Sequence, residues 1–409
     1  MKQAMVKHPP LPRQYGEELL VMERGEGCHL FDCVGNRYLD MGSGIAVNAL
    51  GYGREDLAEI AAKQMKRLVH ASNLFATEPQ LELAQKMVNS PAPGHAGFEA
   101  VHFGNSGAEA NETAMKYARL YAWRKNKPHK IRLLAFEGAF HGRTLGALSL
   151  TANPAYKKPF GPLVPGVEIL PFGDVEALTT AMDQDVAGVI VEPIQGEGGL
   201  NMVSRDFARA LNALCQEHDA LLIADEVQTG MGRCGSLFAS GLVGLEPDLI
   251  CLAKPLAGGL PLSAVLIPPK VNALLAPGDH ATTFGGGPVT TAVASAVWDI
   301  ISVPSFLAEV RRKGDILESL LAQELEQRGL EGEIRGAGLL RGIRLKGTPF
   351  DGPWCSKIVQ EARNNGLIIL KTGADVLRLA PPLVMDEASL KEGVALLFQT
   401  IDQNAKTTA

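Results

Sequence analysis

No apolar stretch in this 409-residue chain approaches the roughly 20 residues that a bilayer-spanning helix needs, so no membrane partner is expected. The first residues, with Lys2, Lys7 and Pro9-Pro10-Leu11-Pro12, hold no apolar h-region of the kind a secretory signal requires. An excess of basic residues is also missing: 39 Lys and Arg stand against 45 Asp and Glu, for a formal charge of −6. That balance argues against a nucleic-acid partner held by phosphate neutralisation. Six cysteines, at 28, 33, 215, 234, 251 and 355, form neither close metal-ligand pairs nor a dense disulfide framework. Reduced thiols, no metal and a cytoplasmic location are the expectation. Internal repeats and low-complexity segments are absent as well. What remains is a soluble protein that works on small molecules.

The composition is globular, 46% hydrophobic and 21% charged. This length exceeds one ordinary core and suits two domains, or one large α/β domain with an appendage. Short β-rich runs at 100–103, 131–136, 167–170, 187–192, 220–224, 249–253 and 263–267 alternate with helical stretches, among them one from Gly107 and one near 206–218. Such alternation predicts βα units around a mainly parallel sheet covered on both faces. Past Pro304 the pattern changes to a long charged helix, short strands and a final helix. The predicted organisation is α/β, with a large sheet domain over 50–303 and a smaller α+β domain over 304–409. The segment 1–49 has strand-like pieces at 28–32 and 37–40 but no core of its own, so it is expected to pack on the smaller domain. The basic stretch 124–130 reads as a solvated helix end.

Two polar residues stand where apolar runs end: Asp225 after Ala220-Leu221-Leu222-Ile223-Ala224, and Lys254 after Leu249-Ile250-Cys251-Leu252-Ala253. Ligand sites of α/β folds gather beyond the carboxyl ends of such strands. A lysine able to form a Schiff base, with a carboxylate to pair with a pyridinium nitrogen, is what pyridoxal phosphate demands of a protein. A buried ion pair would also account for the two residues. Asn105-Ser106-Gly107-Ala108-Glu109 follows a strand and opens a helix, so Ser106 and the amides of Gly107 and Ala108 suit a phosphate. Ser106 and Glu109 have capping-box spacing too, which explains both without a ligand. Phe140-His141-Gly142-Arg143-Thr144 offers a ring to stack on a planar group and a guanidinium to grip a carboxylate. The glycines of 196–199 and 285–287 match neither a dinucleotide fingerprint nor a P-loop and read as turns.

Taken together, Asn105-Ser106-Gly107-Ala108-Glu109-Ala110-Asn111-Glu112, Phe140-His141-Gly142-Arg143-Thr144, Asp225-Glu226-Val227-Gln228-Thr229-Gly230 and Leu252-Ala253-Lys254 resemble the class III, ornithine-type aminotransferases. The resemblance runs over nearly the whole chain. It implies the pyridoxal-phosphate transferase fold type I, pyridoxal 5'-phosphate as cofactor, and a homodimer with shared sites. Within that family, Gly44-Ile45-Ala46-Val47-Asn48-Ala49-Leu50-Gly51, Ser72-Asn73-Leu74-Phe75 and the segment 278–286 point to transfer of the δ-amino group of N2-acetyl-L-ornithine to 2-oxoglutarate.

The implied roles follow residue by residue. Lys254 is the Schiff-base lysine and the base of the proton shift, and Asp225 keeps the ring nitrogen protonated. Gln228 is expected near the ring hydroxyl, Phe140 on the ring face, and Ser106, Gly107 and Ala108 on the phosphate. Thr283 is expected to reach the phosphate of the neighbouring subunit, and Thr282 to touch the acylated end of the amine. Arg143 resembles the clamp for the distal carboxylate and Arg378 the arginine for the α-carboxylate. Glu197 resembles the gate that pairs with that arginine when the amine substrate is bound. A domain-interface cation and a turn carboxylate are the plain alternatives for Arg378 and Glu197. Tyr52, Gly53, Pro255, Ala281 and Gly287 depart from the usual pattern, and none removes a catalytic group.

Overall fold

The structure is a computed structural model, and it describes residues 4–7, 9–16, 18–91, 97–347, 350 and 354–408. The chain forms two compact units, one of 56–311 and one of 1–55 with 312–409.

The larger unit is built on a seven-stranded sheet. Its strands are β1 (Ala100–Gly104), β2 (Arg132–Phe136), β3 (Val167–Leu170), β4 (Val186–Val191), β5 (Leu221–Asp225), β6 (Leu249–Leu252) and β7 (Ser263–Ile267), in the spatial order β1-β7-β6-β5-β4-β2-β3. All pairings are parallel except those of β7, which runs against both β6 and β1. Six carboxyl ends therefore share one edge.

Side chains of a strand alternate between faces, and the sequence loads both faces with apolar groups. Leu133, Ala135, Leu221, Ile223 and Cys251 pack on one face with Ala110, Ala114 and Ala118 of helix α1 (Gly107–Arg124). The alanines recur every fourth residue, a stripe small enough to bring the helix close to the strands. Leu134, Phe136, Val189 and Leu222 face the other way, against Phe207, Leu211 and Cys215 of helix α2 (Arg205–His218). Asp225 and Lys254 thus end strands with no polar face of their own.

The basic stretch is not wholly solvated. Lys130 is 1% exposed, and its ammonium donates to the carbonyl of His218, at the end of α2 where a cation is favoured. The sequence shows a run of charge but not the helix terminus that one member of it must cap.

The smaller unit holds an antiparallel sheet of Gly332–Ala337, Leu340–Leu345, Val376–Leu379 and Leu370–Thr372. A second sheet joins Met22–Glu26, His29–Asp32 and Arg37–Asp40 to Leu367–Ile368, the last pair in parallel. The N-terminal strands are completed by residues more than three hundred positions later. No single helix among the described residues is long and apolar enough to cross a membrane.

Candidate active site

The carboxyl edge of the sheet gathers the residues singled out in the larger unit. Asp225 closes β5 and is 4% exposed. Its Oδ2 accepts from Asn111 Nδ2 at 2.7 Å and from His141 Nδ1 at 2.7 Å, and its Oδ1 accepts from the Val227 amide at 3.0 Å. Donors of this kind stabilise the charged form of a buried carboxylate. Asn111 also donates to the His141 carbonyl at 2.8 Å, so one side-chain amide ties the carboxylate to the loop behind it. Neither Asn111 nor His141 had been assigned a role from the sequence.

A second carboxylate lies at the same edge. Glu192 follows β4 and accepts from the Phe140 and Gly196 amides, each at 3.2 Å. Burial first, and then the charge of Asp225, push its carboxyl well above the ordinary carboxylate value. Lys254 opens the short turn Lys254–Ala257, two residues past β6, and is half-buried.

The start of α1 is packed from two sides. A Cβ on Gly107 would meet Val227 Cγ1 at 2.7 Å, and one on Gly142 would meet Ala108 Cβ at 2.6 Å. Glycine is required at both positions by close approach, and the first-turn amides of α1 have no partner within the helix. Ser106 caps that helix, its Oγ accepting from the Glu109 amide at 3.3 Å. The capping alternative is thus realised, although the returning Glu109 carboxylate bonds to Asn105. The Ser106 hydroxyl keeps its own proton to give.

Arg143 is exposed and lies over Tyr156, with Cζ 3.6 Å from that ring centroid and 5.3 Å from the Phe140 ring. Tyr156 is a contact that the sequence did not announce, since thirteen positions separate it from Arg143. Gln228 is buried, and its amide donates to Glu197 at 3.5 Å. Gly196 fits beneath it, since a Cβ there would stand 2.4 Å from Gln228 Cδ. Thr282 Oγ1 accepts from the Gly285 amide at 3.2 Å and from Asn105 Nδ2 at 3.5 Å, whereas Thr283 is exposed. Arg378 belongs to the smaller unit, on the strand Val376–Leu379, and is 2% exposed.

These groups fit a phosphorylated pyridine. A buried carboxylate held by two side-chain donors suits a protonated ring nitrogen, and a glycine-opened helix start suits a dianion. Pyridoxal phosphate would be held by Asp225, by the first turn of α1 and by Lys254.

Comparison with known proteins identifies the family. The family model for class-III aminotransferases matches residues 11–401. The acetylornithine/succinyldiaminopimelate aminotransferase of Photorhabdus laumondii is 40% identical over 389 residues, covering 95% of each chain. Among solved structures, the N-acetylornithine aminotransferase of Stenotrophomonas maltophilia superposes with a TM-score of 0.83 at 35% identity, covering 97% of this chain and 99% of the other. The ornithine aminotransferase of Toxoplasma gondii, described with partial occupancy of PLP at its active site, gives 0.87 at 30% identity over 94% of this chain and 92% of its own. With likeness at this level across nearly all of both chains, this chain belongs to the class III aminotransferases and is a pyridoxal-phosphate-dependent transaminase.

Proposed function

We propose that the enzyme transfers the δ-amino group of N2-acetyl-L-ornithine to 2-oxoglutarate, giving N-acetyl-L-glutamate 5-semialdehyde and L-glutamate. The observation that carries the reading is Arg143, a guanidinium supported by the Tyr156 ring in the loop that also brings His141 to Asp225. A supported guanidinium suits bidentate binding of a carboxylate. Acetylornithine carries one carboxylate far from its reacting amine, and 2-oxoglutarate carries one at each end. Both substrates therefore present a distal carboxylate to Arg143. The names borne by relatives near 40% identity point the same way.

Pyridoxal phosphate, when bound, supplies the carbonyl that takes the amino group and the ring that accepts the electron pair freed at the substrate carbon. The chain's own residues do the rest. Lys254 takes and returns the proton at the reacting carbon, Asp225 holds the ring nitrogen protonated, and Gln228 and Phe140 set the ring's position. Arg378 takes the α-carboxylate of glutamate, and Glu197 screens that arginine when the amine substrate is in place. Thr282 touches the acylated end of that substrate.

The active form is a homodimer. Leu74, Phe75 and Phe284 are 87%, 68% and 68% exposed, and the Phe284 ring lies 5.6 Å from that of His70. An apolar face of this kind beside Thr283 suits burial against a second copy, with Thr283 reaching the partner's phosphate. Six free thiols suit a reducing cytoplasm.

Steady-state rates with 2-oxoglutarate and acetylornithine, ornithine, succinylornithine or 4-aminobutyrate test the substrate. Acetylornithine is expected to give the highest kcat/KM. A clear preference for free ornithine or 4-aminobutyrate would refute the assignment and leave the transaminase chemistry standing. N-succinylated amines are the second reading, which the double name of the Photorhabdus relative favours. Turnover without any keto acid would instead indicate an aminomutase. Lys254→Ala is expected to abolish turnover and the visible absorbance of the purified protein.

A further inference from the structure

The segment that carries Thr282 and Thr283 is fastened along one face of α1. Asp279 pairs with Arg124 at 2.8 Å, and its other oxygen accepts from the Ala276 amide at 2.7 Å. At the next residue, the His280 ring stacks on His102 of β1, with centroids 4.8 Å apart and planes 16° apart. His280 Nε2 lies 3.0 Å from Thr113 Oγ1, and its Nδ1 lies 2.8 Å from Lys116 Nζ. Tyr117 meets the His280 ring edge-on and places its hydroxyl 3.0 Å from His102 Nδ1. Thr113, Lys116, Tyr117 and Arg124 recur at helical spacing, so α1 presents a single stripe to this segment.

The contacts fix the state of the ring. An ammonium can only donate, so Lys116 requires a lone pair on Nδ1, and the ring's one N–H lies at Nε2, facing Thr113. His280 is therefore neutral in this arrangement. Burial, and then the Lys116 charge, hold it below the ordinary imidazole value, although Glu112 and Glu109 pull the other way.

Beyond His280 the same segment returns to the start of α1. Asn105, which precedes the Ser106 cap, donates to Thr282 Oγ1, and Asn73 donates to the Thr282 and Gly285 carbonyls, both at 2.9 Å. A Cβ on Gly285 would stand 2.3 Å from the Phe103 carbonyl, so the segment lies directly on the end of β1. The helix whose first turn suits one phosphate and the loop whose Thr283 is exposed are thus one tied piece.

We propose that His280 is a positioning residue that clamps the Thr282-Thr283 loop to α1, so that one subunit's phosphate nest and the contact it offers its partner's phosphate are set together. The proposal rests on the homodimer with shared sites. Its functional consequence is that loosening the clamp in one subunit weakens cofactor binding in the other, without touching Lys254, Asp225 or the substrate arginines.

The test is a titration of the cofactor-stripped full-length protein with pyridoxal phosphate, followed by absorbance, for the wild type, His280→Ala, His280→Gln and Thr283→Ala. Melting of the stripped proteins and sedimentation are measured alongside. His280→Ala is expected to raise the dissociation constant about five- to tenfold, the effect of one or two lost hydrogen bonds. Thr283→Ala should weaken binding by a similar factor. His280→Gln, whose amide can give to Thr113 and accept from Lys116, should recover most of the affinity, and it carries the test if the alanine variant does not fold. If Thr283→Ala binds as tightly as the wild type, the shared-site reading fails and the clamp fails with it. A weakened Thr283→Ala beside His280 variants that bind normally would overturn the clamp alone, as would a loss in His280→Ala that His280→Gln does not recover at all.

Discussion

Asn111→Leu is the substitution that most directly tests the geometry behind Asp225. Asn111 is 1% exposed, and its side-chain amide makes two hydrogen bonds, 2.7 Å to the Asp225 carboxylate and 2.8 Å to the His141 carbonyl. Leucine keeps the branched four-atom shape but has bulkier methyl groups, so no cavity opens and the polar loss is a lower bound on the cost. A hydrogen bond to a charged group contributes about 1.5–3 kcal/mol and a neutral one about 0.5–1.5 kcal/mol, so together they come to about 2–4.5 kcal/mol. For a unit of roughly 250 residues each kcal/mol moves the melting temperature about 2 °C, so a fall of about 4–9 °C is expected in the cofactor-stripped protein. A second effect follows from position. With one donor gone the Asp225 carboxylate is held less firmly, and the affinity for pyridoxal phosphate drops. Calorimetry on the stripped protein and a cofactor titration read both effects. A melting temperature within about 1 °C of wild type, together with unchanged cofactor affinity, would refute the reasoning, because the two bonds would then contribute nothing. Asn111→Asp should be worse than leucine, since it sets a second carboxylate 2.7 Å from the first.

Three further outcomes are expected. Gly196→Ala puts a methyl group 2.4 Å from Gln228 Cδ; the flexible side chain must swing away, so cofactor affinity should fall while the melting temperature changes little. Tyr156→Leu removes the ring beneath Arg143, and a cation–π contact at an exposed site contributes about 0.5–1 kcal/mol, so KM for 2-oxoglutarate should rise about two- to fivefold with kcat nearly constant. An unchanged KM would mean that Arg143 needs no support. The third concerns pH. His102 is lowered from 6.5 to about 4 by burial first and then by His280 and Lys116, so between those values the unfolded chain binds a proton that the folded one refuses. Stability is therefore lost as pH falls from 6.5 towards about 4, and His102→Phe, which keeps a ring against His280 and cannot titrate, should flatten that part of the melting-temperature profile. Parallel profiles for the two proteins would contradict this.

What could be read from the sequence, and what could not, follows from how far each interaction reaches along the chain. A buried parallel strand is apolar on both faces, so an aspartate or lysine at its end stands out without any knowledge of the fold. That is why Asp225 and Lys254 were visible and why the sheet could be drafted from its runs. The reversed direction of β7 was not visible, because an apolar run is the same read either way. The side chains that bond to the Asp225 carboxylate lie 114 and 84 positions away, at Asn111 and His141, and nothing in their local spacing marks them. Asn111 sits inside a helix among alanines and would pass for an ordinary buried amide. Gly196 misled in the opposite sense. It looked like turn chemistry, yet its backbone is not among those at positive φ, and what demands glycine there is the approach of Gln228. Tyr52, which departed from the expected pattern, proves to be a fitted piece: a Cβ on Gly25 would meet its ring at 2.5 Å, and its hydroxyl donates to Asp40. The glycine of one strand makes room for a tyrosine outside it, so neither can be understood alone. The same holds at the carboxyl edge, where the residues that carry chemistry were written in local motifs and the residues that make them work were distributed over the fold.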